Sequence, residues 1–230
     1  MNEIELIQKE VHKLLNKDDS GHAMDHIKRV LNLSLKFAKK ENADEKIVSL
    51  IALLHDVDDY KLFGNQNAEE LTNAKNIMNN VGIEKNVQEE VIASLKNIGY
   101  SNALKGFRPT LLEGQIVSDA DMCDALGVNG IIRTYKYSLK HSKPFFDKNI
   151  FPIENMSAEK YTRKCSDSSV CHLFEKVLKL KKLMLTESGK KEAEKRHEIV
   201  VNILYNLFDE EDAPNWKSYL DNYLSNEYCK

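Results

Sequence analysis

The stretch IALLHDVDDYKLFG (Ile51–Gly64) runs an unbroken apolar segment into four ionisable side chains, His55, Asp56, Asp58 and Asp59. Residues 45–57 are apolar nearly all round a helical wheel, the pattern of a helix buried on every face. Such a helix belongs at the centre of a fold. Its end then carries groups that are costly to bury unless they are paired or bound to a cation. Taken alone, a His-Asp pair also suits an ordinary helix terminus, where imidazole meets the negative end of the dipole and aspartate turns the chain. The rest of the chain decides between the two.

Helical spacing recurs on both sides of this stretch. Ile4, Ile7, Val11 and Leu14 share one face, and Ile27, Val30, Leu31 and Ser34 another before Phe37. Leu71, Ala74, Met78 and Val81 form a stripe closed by Gly82; Val87, Val91, Leu95 and Ile98 form one closed by Gly99. Residues 111–126 and 129–139 read as two helices divided at Gly127. Helices are also expected over Val170–Met184 and Ala193–Phe208, with a short terminal one at WKSYLDNYL. The lysines of KVLKLKKLM are expected outside an apolar core face. Between the two halves, KHSKPFFDKNIFPIENMSAEKY holds two of the four prolines and three phenylalanines. It predicts a long loop packed by its aromatics, bordering the substrate site over about His141–Tyr161. Nothing alternates as a strand. The expectation is an all-α helical bundle, one domain over residues 1–230, with a core at about 20–140 and a C-terminal helical part at about 160–225.

Composition excludes several classes of function. The 230 residues are 42% hydrophobic and 30% charged, as in globular proteins generally. A net charge of −3 gives no basic excess for a nucleic-acid polymer. No apolar run approaches the roughly 20 residues of a membrane span, and MNEIELIQKEVHKLLNK is amphipathic and charged, unlike a signal peptide. Cys123, Cys165, Cys171 and Cys229 lack CxxC spacing and read as free thiols. A cytoplasmic protein is expected.

Two further segments accompany the His-Asp pair. In SGHAMDHIKRV, His22 and His26 lie four apart on one helical face, with Arg29 three beyond His26. In IVSDADMCDALG, an apolar helix carries Asp119, Asp121 and Asp124. Core-forming helices would bring His26, His55, Asp56 and Asp121 inside together. One divalent cation (Mn, Mg, Co, Ni, Fe or Zn) offsets the burial cost of all four and keeps positions for water and a substrate oxygen.

The ordered H…HD…D set, in HIKRV, LLHDV and SDADMCDALG, resembles the HD-domain metal-dependent phosphohydrolases. With the tail CHLFEKVLKLKKLMLTESGKKEAEKRH, the resemblance covers roughly residues 20–208 and extends to a bacterial subgroup that includes a nucleotide pyrophosphatase. It implies an HD-domain helical bundle and metal ligation by His26, His55, Asp56 and Asp121. Asp121 is chosen over Asp119 because the family's last ligand follows an alanine, as Asp121 follows Ala120. Asp119 becomes a neighbour on the helix.

The activity implied is attack of metal-activated water on a small phosphate ester or anhydride. A nucleotide is favoured, with pyrophosphate leaving a nucleoside triphosphate. A nucleoside monophosphate phosphatase and a non-catalytic metal-binding regulatory module are the alternatives. Asp59 is the expected base, on the assumption that the helix continues one turn past Asp56. Asp58 is expected in solvent. His22, Arg29, Lys61 and Arg133 are candidates for substrate phosphate. His197, on a stripe with Ala193, Val200 and Leu204, is expected as a core histidine.

Overall fold

The computed structural model describes residues 2–15, 24–153 and 166–228. Among these the regular elements are all helical, as expected. The helix at the centre is α3 (Glu45–Leu54). Asp44 starts it, its carboxylate accepting from the amides of Lys46 (2.7 Å) and Ile47 (3.1 Å). Every residue from Val48 to Leu54 is buried. Each large aliphatic side chain so placed contributes about 1.5–3 kcal/mol, which fixes the end of α3 deep in the molecule. Around it pack α1 (Glu3–Leu15), α2 (Met24–Glu41), α6 (Lys85–Leu95) and α8 (Leu112–Asp124). α4 (Tyr60–Glu70), α5 (Thr72–Val81) and α7 (Tyr100–Leu104) complete the N-terminal part. Gly82, at φ 84°, closes α5 by donating its amide to Met78 and Asn79.

α9 (Gly127–Lys140) follows α8 after a turn at Ala125–Leu126. The C-terminal part comprises α10 (Ser169–Glu175), a 3₁₀ helix (Val177–Leu183), α11 (Glu187–Glu210) and α12 (Pro214–Tyr228). α11 packs on α2, α8, α9 and the 3₁₀ helix, which joins this part to the centre. A carboxylate locks the junction. Asp119 of α8 is fully buried and accepts from the amides of Leu185 and Thr186 and from the Thr186 hydroxyl, at the start of α11. Gly189 is required there, because a Cβ would stand 2.2 Å from Asp119 Oδ2.

Three expectations change, and a fourth is met in part. The buried helix stops at Leu54, and His55–Asp58 form a turn, so Asp59 is not on the same helix as Asp56. Asp58 is not in solvent: it is buried and accepts from the amides of Asn73 (2.8 Å) and Ala74 (2.9 Å), capping the first turn of α5. The helix expected over Val170–Met184 breaks at Lys176 (φ −133°, ψ −59°), where packing of Val177, Leu178 and Leu180 into the core overrides good local helix formers. The long loop is packed by its aromatics over residues 141–153, as expected. Phe151 stacks on Trp216 at 4.4 Å, Phe146 meets Trp216 and Phe208, and Trp216 Nε1 donates to the Lys148 carbonyl. The rest of the expected substrate-site border, from 154 on, lies outside the described residues.

Candidate metal centre

His26 sits in the first turn of α2, His55 and Asp56 on the turn ending α3, and Asp121 near the C-terminal end of α8. The three elements bring their side chains together. His26 Nε2 lies 3.2 Å from His55 Nε2, 3.4 Å from Asp56 Oδ2 and 3.3 Å from Asp121 Oδ1. His55 Nε2 is 3.6 Å from Asp56 Oδ2 and 3.9 Å from Asp121 Oδ1. Bonds of about 2.0–2.2 Å to one ion separate neighbouring ligand atoms by roughly 3.0–3.5 Å. His26 stands at such separations from the other three, His55 lies somewhat farther from the two carboxylates, and His26, His55 and Asp56 form a group compact enough to hold an ion. The imidazoles are 2% exposed, Asp56 13% and Asp121 25%, so the cluster opens on the Asp121 side.

The far nitrogen of each ring fixes its tautomer. His55 Nδ1 is 2.8 Å from the Ala52 carbonyl, which can only accept, so the proton is on Nδ1. His26 Nδ1 is 2.7 Å from Asp124 Oδ2. Arg133 Nη1 also approaches that nitrogen, at 3.1 Å, but it lies closer to the carboxylate, at 2.6 Å. The shorter contact and the charge assign the Nδ1 proton to the bond with Asp124. The two Nε2 atoms are then the ones that face each other and the carboxylates, where a cation would take the place of the proton that His26 holds in its absence.

The charges agree. Burial pushes His26 down, but Asp121, Asp124 and Asp56 outweigh it and raise its pKa to about 10, so these carboxylates draw positive charge into the cluster. Burial pushes Asp121 up, and His26 and His55 overcome it and hold the carboxyl low. Asp124 is 2% exposed. Burial raises it, yet the bonds from His26 and Arg29 and the nearby Arg133 keep it well below the usual carboxylate range.

Asp124 is the group that sequence reasoning left without a role. Its one signal was the spacing to Asp121, three residues on and so on an adjoining face of α8. It organises both expected phosphate-binding arginines: Arg29 donates through Nε (2.6 Å) and Nη2 (3.0 Å), and Arg133 through Nη1. Asp119 faces away, toward α11, and Asp121 faces the histidines. Asp59 begins α4, its carbonyl accepting from Leu62 and Phe63 while its amide donates to the Asp56 carbonyl at 3.2 Å. Lys61 is in the first turn of α4, and His22 lies outside the described residues. His197 is buried with Ala193, Val200 and Leu204. Lys176, expected outside, instead has Asp121 and Arg133 among its charged neighbours, and burial lowers its pKa.

Residues 23–126 match the HD domain family. A solved HD-superfamily hydrolase from Bacillus thuringiensis is 30% identical, with 91% of this chain and 97% of that one covered and a TM-score of 0.71. This chain belongs to the HD superfamily of hydrolases, which are metal-dependent phosphohydrolases. A Lactobacillus plantarum structure is 28% identical over 99% of this chain and 98% of its own, with a TM-score of 0.75. YpgQ of Bacillus subtilis, solved in complex with ADP, is 27% identical over 90% of this chain and 94% of its own, with a TM-score of 0.68.

Proposed function

We propose that the chain hydrolyses a nucleotide, releasing pyrophosphate from a nucleoside triphosphate, with one divalent cation (Mn, Mg, Co, Ni, Fe or Zn) held by His26, His55, Asp56 and Asp121. The observation that carries this reading is the convergence of two imidazole Nε2 atoms and two carboxylates beside the end of a fully buried helix. A bound cation of this kind polarises a phosphoryl oxygen and makes water a nucleophile at neutral pH.

The chain's own residues supply the rest. Asp124 and the Ala52 carbonyl keep both rings in the ligating tautomer. Arg29 and Arg133 stand beside the cluster as cations for phosphate oxygens, with Lys61 and His22 as further contacts. Asp59, which follows the turn at His55–Asp58 and whose amide is tied to the Asp56 carbonyl, is the residue assigned to take the proton of the attacking water. The nucleotide substrate is supported by the ADP complex of YpgQ. A cytoplasmic setting fits the buried free thiols of Cys123 and Cys171.

The test is a panel of nucleoside mono-, di- and triphosphates with Mg, Mn, Co or Ni, with products resolved by phosphorus NMR. Pyrophosphate and a nucleoside monophosphate are expected from the triphosphates. Orthophosphate from monophosphates alone, or no product with any metal, overturns the proposal. Asp59→Asn should lower kcat by about 10²–10⁴-fold with metal content unchanged.

A further inference from the structure

Asp119 is one tie between α8 and α11; a second lies farther along both helices. Glu192 and Arg196 are four apart on α11 and share a face, and Arg196 Nε donates to Glu192 Oε1 at 2.7 Å. That bond orients the planar guanidinium, whose Nη1 donates to the Cys123 carbonyl of α8 at 2.8 Å. The carbonyl belongs to the last turn of α8, which has tightened. The amides of Ala125 and Leu126 donate three residues back, to Met122 at 3.2 Å and to Cys123 at 3.1 Å. Closure of this 3₁₀ type has poorer hydrogen-bond geometry than the α-helix before it, and helix ends fray at such turns. A cation on a terminal carbonyl also complements the helix dipole. The stem of Arg196 lies against the start of α9, where a Cβ on Gly127 would stand 3.4 Å from its Cβ and Cγ. The tightened turn is the one that carries the site. Cys123 stands between Asp121 and Asp124 in the chain, and Asp121 lies between the two ties, with Asp119 bound to the start of α11 on one side and Cys123 bound to Arg196 on the other.

We propose that Arg196 is a positioning residue of the metal centre, whose bond to the Cys123 carbonyl holds the last turn of α8 so that Asp121 faces the histidines and Asp124 meets His26 Nδ1. This rests on the metal-binding reading of the cluster. A ligand and the carboxylate that orients another ligand sit in one helix end, and both must be held to within about 0.5 Å to bind an ion well. The helix supplies only its weakest turn there, and α11 supplies the missing restraint. The C-terminal part of the chain thereby takes a share in the centre without touching it.

The experiment is calorimetric titration of Mn²⁺ into chelator-treated wild type, Arg196→Met and Arg196→Lys, with a thermal melt of each metal-free protein. Arg196→Met keeps the stem and removes both bonds. It should weaken Mn²⁺ binding by about 10- to 100-fold, as loss of an orienting partner does. Arg196→Lys should recover most of that, because an ammonium can still donate to the carbonyl. Wild-type Mn²⁺ affinity in Arg196→Met overturns the assignment whatever the melt shows, since the bond then serves stability alone. Equal losses in the two variants also overturn it, since they trace to the fit of the side chain and not to the donated bond. If Arg196→Met does not fold, Glu192→Ala releases Nε alone and should weaken Mn²⁺ binding by about 2- to 10-fold, the worth of one hydrogen bond; unchanged affinity there overturns the role. A wild type that binds no Mn²⁺ removes the metal centre and the role of Arg196 with it. Mn²⁺ discrimination among the variants without turnover of any nucleotide leaves that role standing while the proposed activity fails.

Discussion

Asp124→Asn is the most informative substitution at this centre, because one carboxylate serves two arginines and a histidine. It accepts from Arg29 Nε and Nη2, from Arg133 Nη1 and from His26 Nδ1, at 2.6, 3.0, 2.6 and 2.7 Å. Asparagine keeps the shape and one acceptor but loses the charge. Hydrogen bonds to a charged group are worth about 1.5–3 kcal/mol each. The arginine side chains are 35% and 28% exposed, so water replaces part of what they lose. A net stability loss of about 2–3 kcal/mol follows, below the 3–5 of a fully buried broken pair. The melting temperature should then fall by roughly 2–4 °C per kcal/mol in a chain of this size. The effect on metal is separate. An amide can donate as well as accept, so it no longer forces the proton onto Nδ1 of His26. Loss of such an orienting partner typically costs about 10–100-fold in metal affinity. Mn²⁺ titration of the chelator-treated protein measures the second effect and a thermal melt the first. Wild-type Mn²⁺ affinity in a destabilised variant would refute the tautomer argument, leaving Asp124 a purely structural counter-charge.

Three other outcomes are expected. Gly189→Ala should destabilise by about 1–3 kcal/mol in urea, although the same change inside an ordinary helix stabilises, because the new Cβ meets Asp119 Oδ2 at 2.2 Å; a stabilised variant would show that Asp119 moves freely. Asp58→Ala should cost about 0.5–2 kcal/mol by uncapping α5, and an unchanged urea midpoint would count against the cap. The Tyr205 hydroxyl donates to Asp221 at 2.5 Å, and its pKa is raised from 10.0 to about 12, with that bond as the main cause. The folded state then holds the proton more tightly than the unfolded chain. The contribution is complete below pH 10 and lost as pH rises through about 12, and urea midpoints of Tyr205→Phe should lack that alkaline step.

Periodicity made the helices legible, because α2, α3, α5 and α8 each carry an apolar pattern that packing then uses. The donor residues were legible from chemistry: His26, His55, Asp56 and Asp121 lie in segments otherwise built for the core. What eluded the sequence was direction. Asp58 and Asp59 are adjacent and chemically identical, yet one caps α5 and the other starts α4, and only the turn at His55–Asp58 decides which. Lys176 sits in a run of residues that all favour helix. The break there comes from contacts of the 3₁₀ helix with α8, α10 and α11, which local propensity does not contain. Asp124 hid among three aspartates whose partners come from distant parts of the chain.

Those three aspartates bear on which changes in length the chain can absorb. Asp119 reaches the start of α11, Asp121 the histidines and Asp124 the arginines, all from the one helix α8. An α-helix turns about 100° per residue. Inserting or deleting a single residue between Asp119 and Asp124 would swing the later carboxylates by that angle relative to the earlier one. The capped junction, the donor cluster and the arginine pair could not then all be met. Substitutions can be compensated one at a time, but a frame of this kind tolerates no slip. Among related chains α8 should therefore vary in residue identity while the spacing of its three carboxylates stays constant, with insertions falling in the connections on either side.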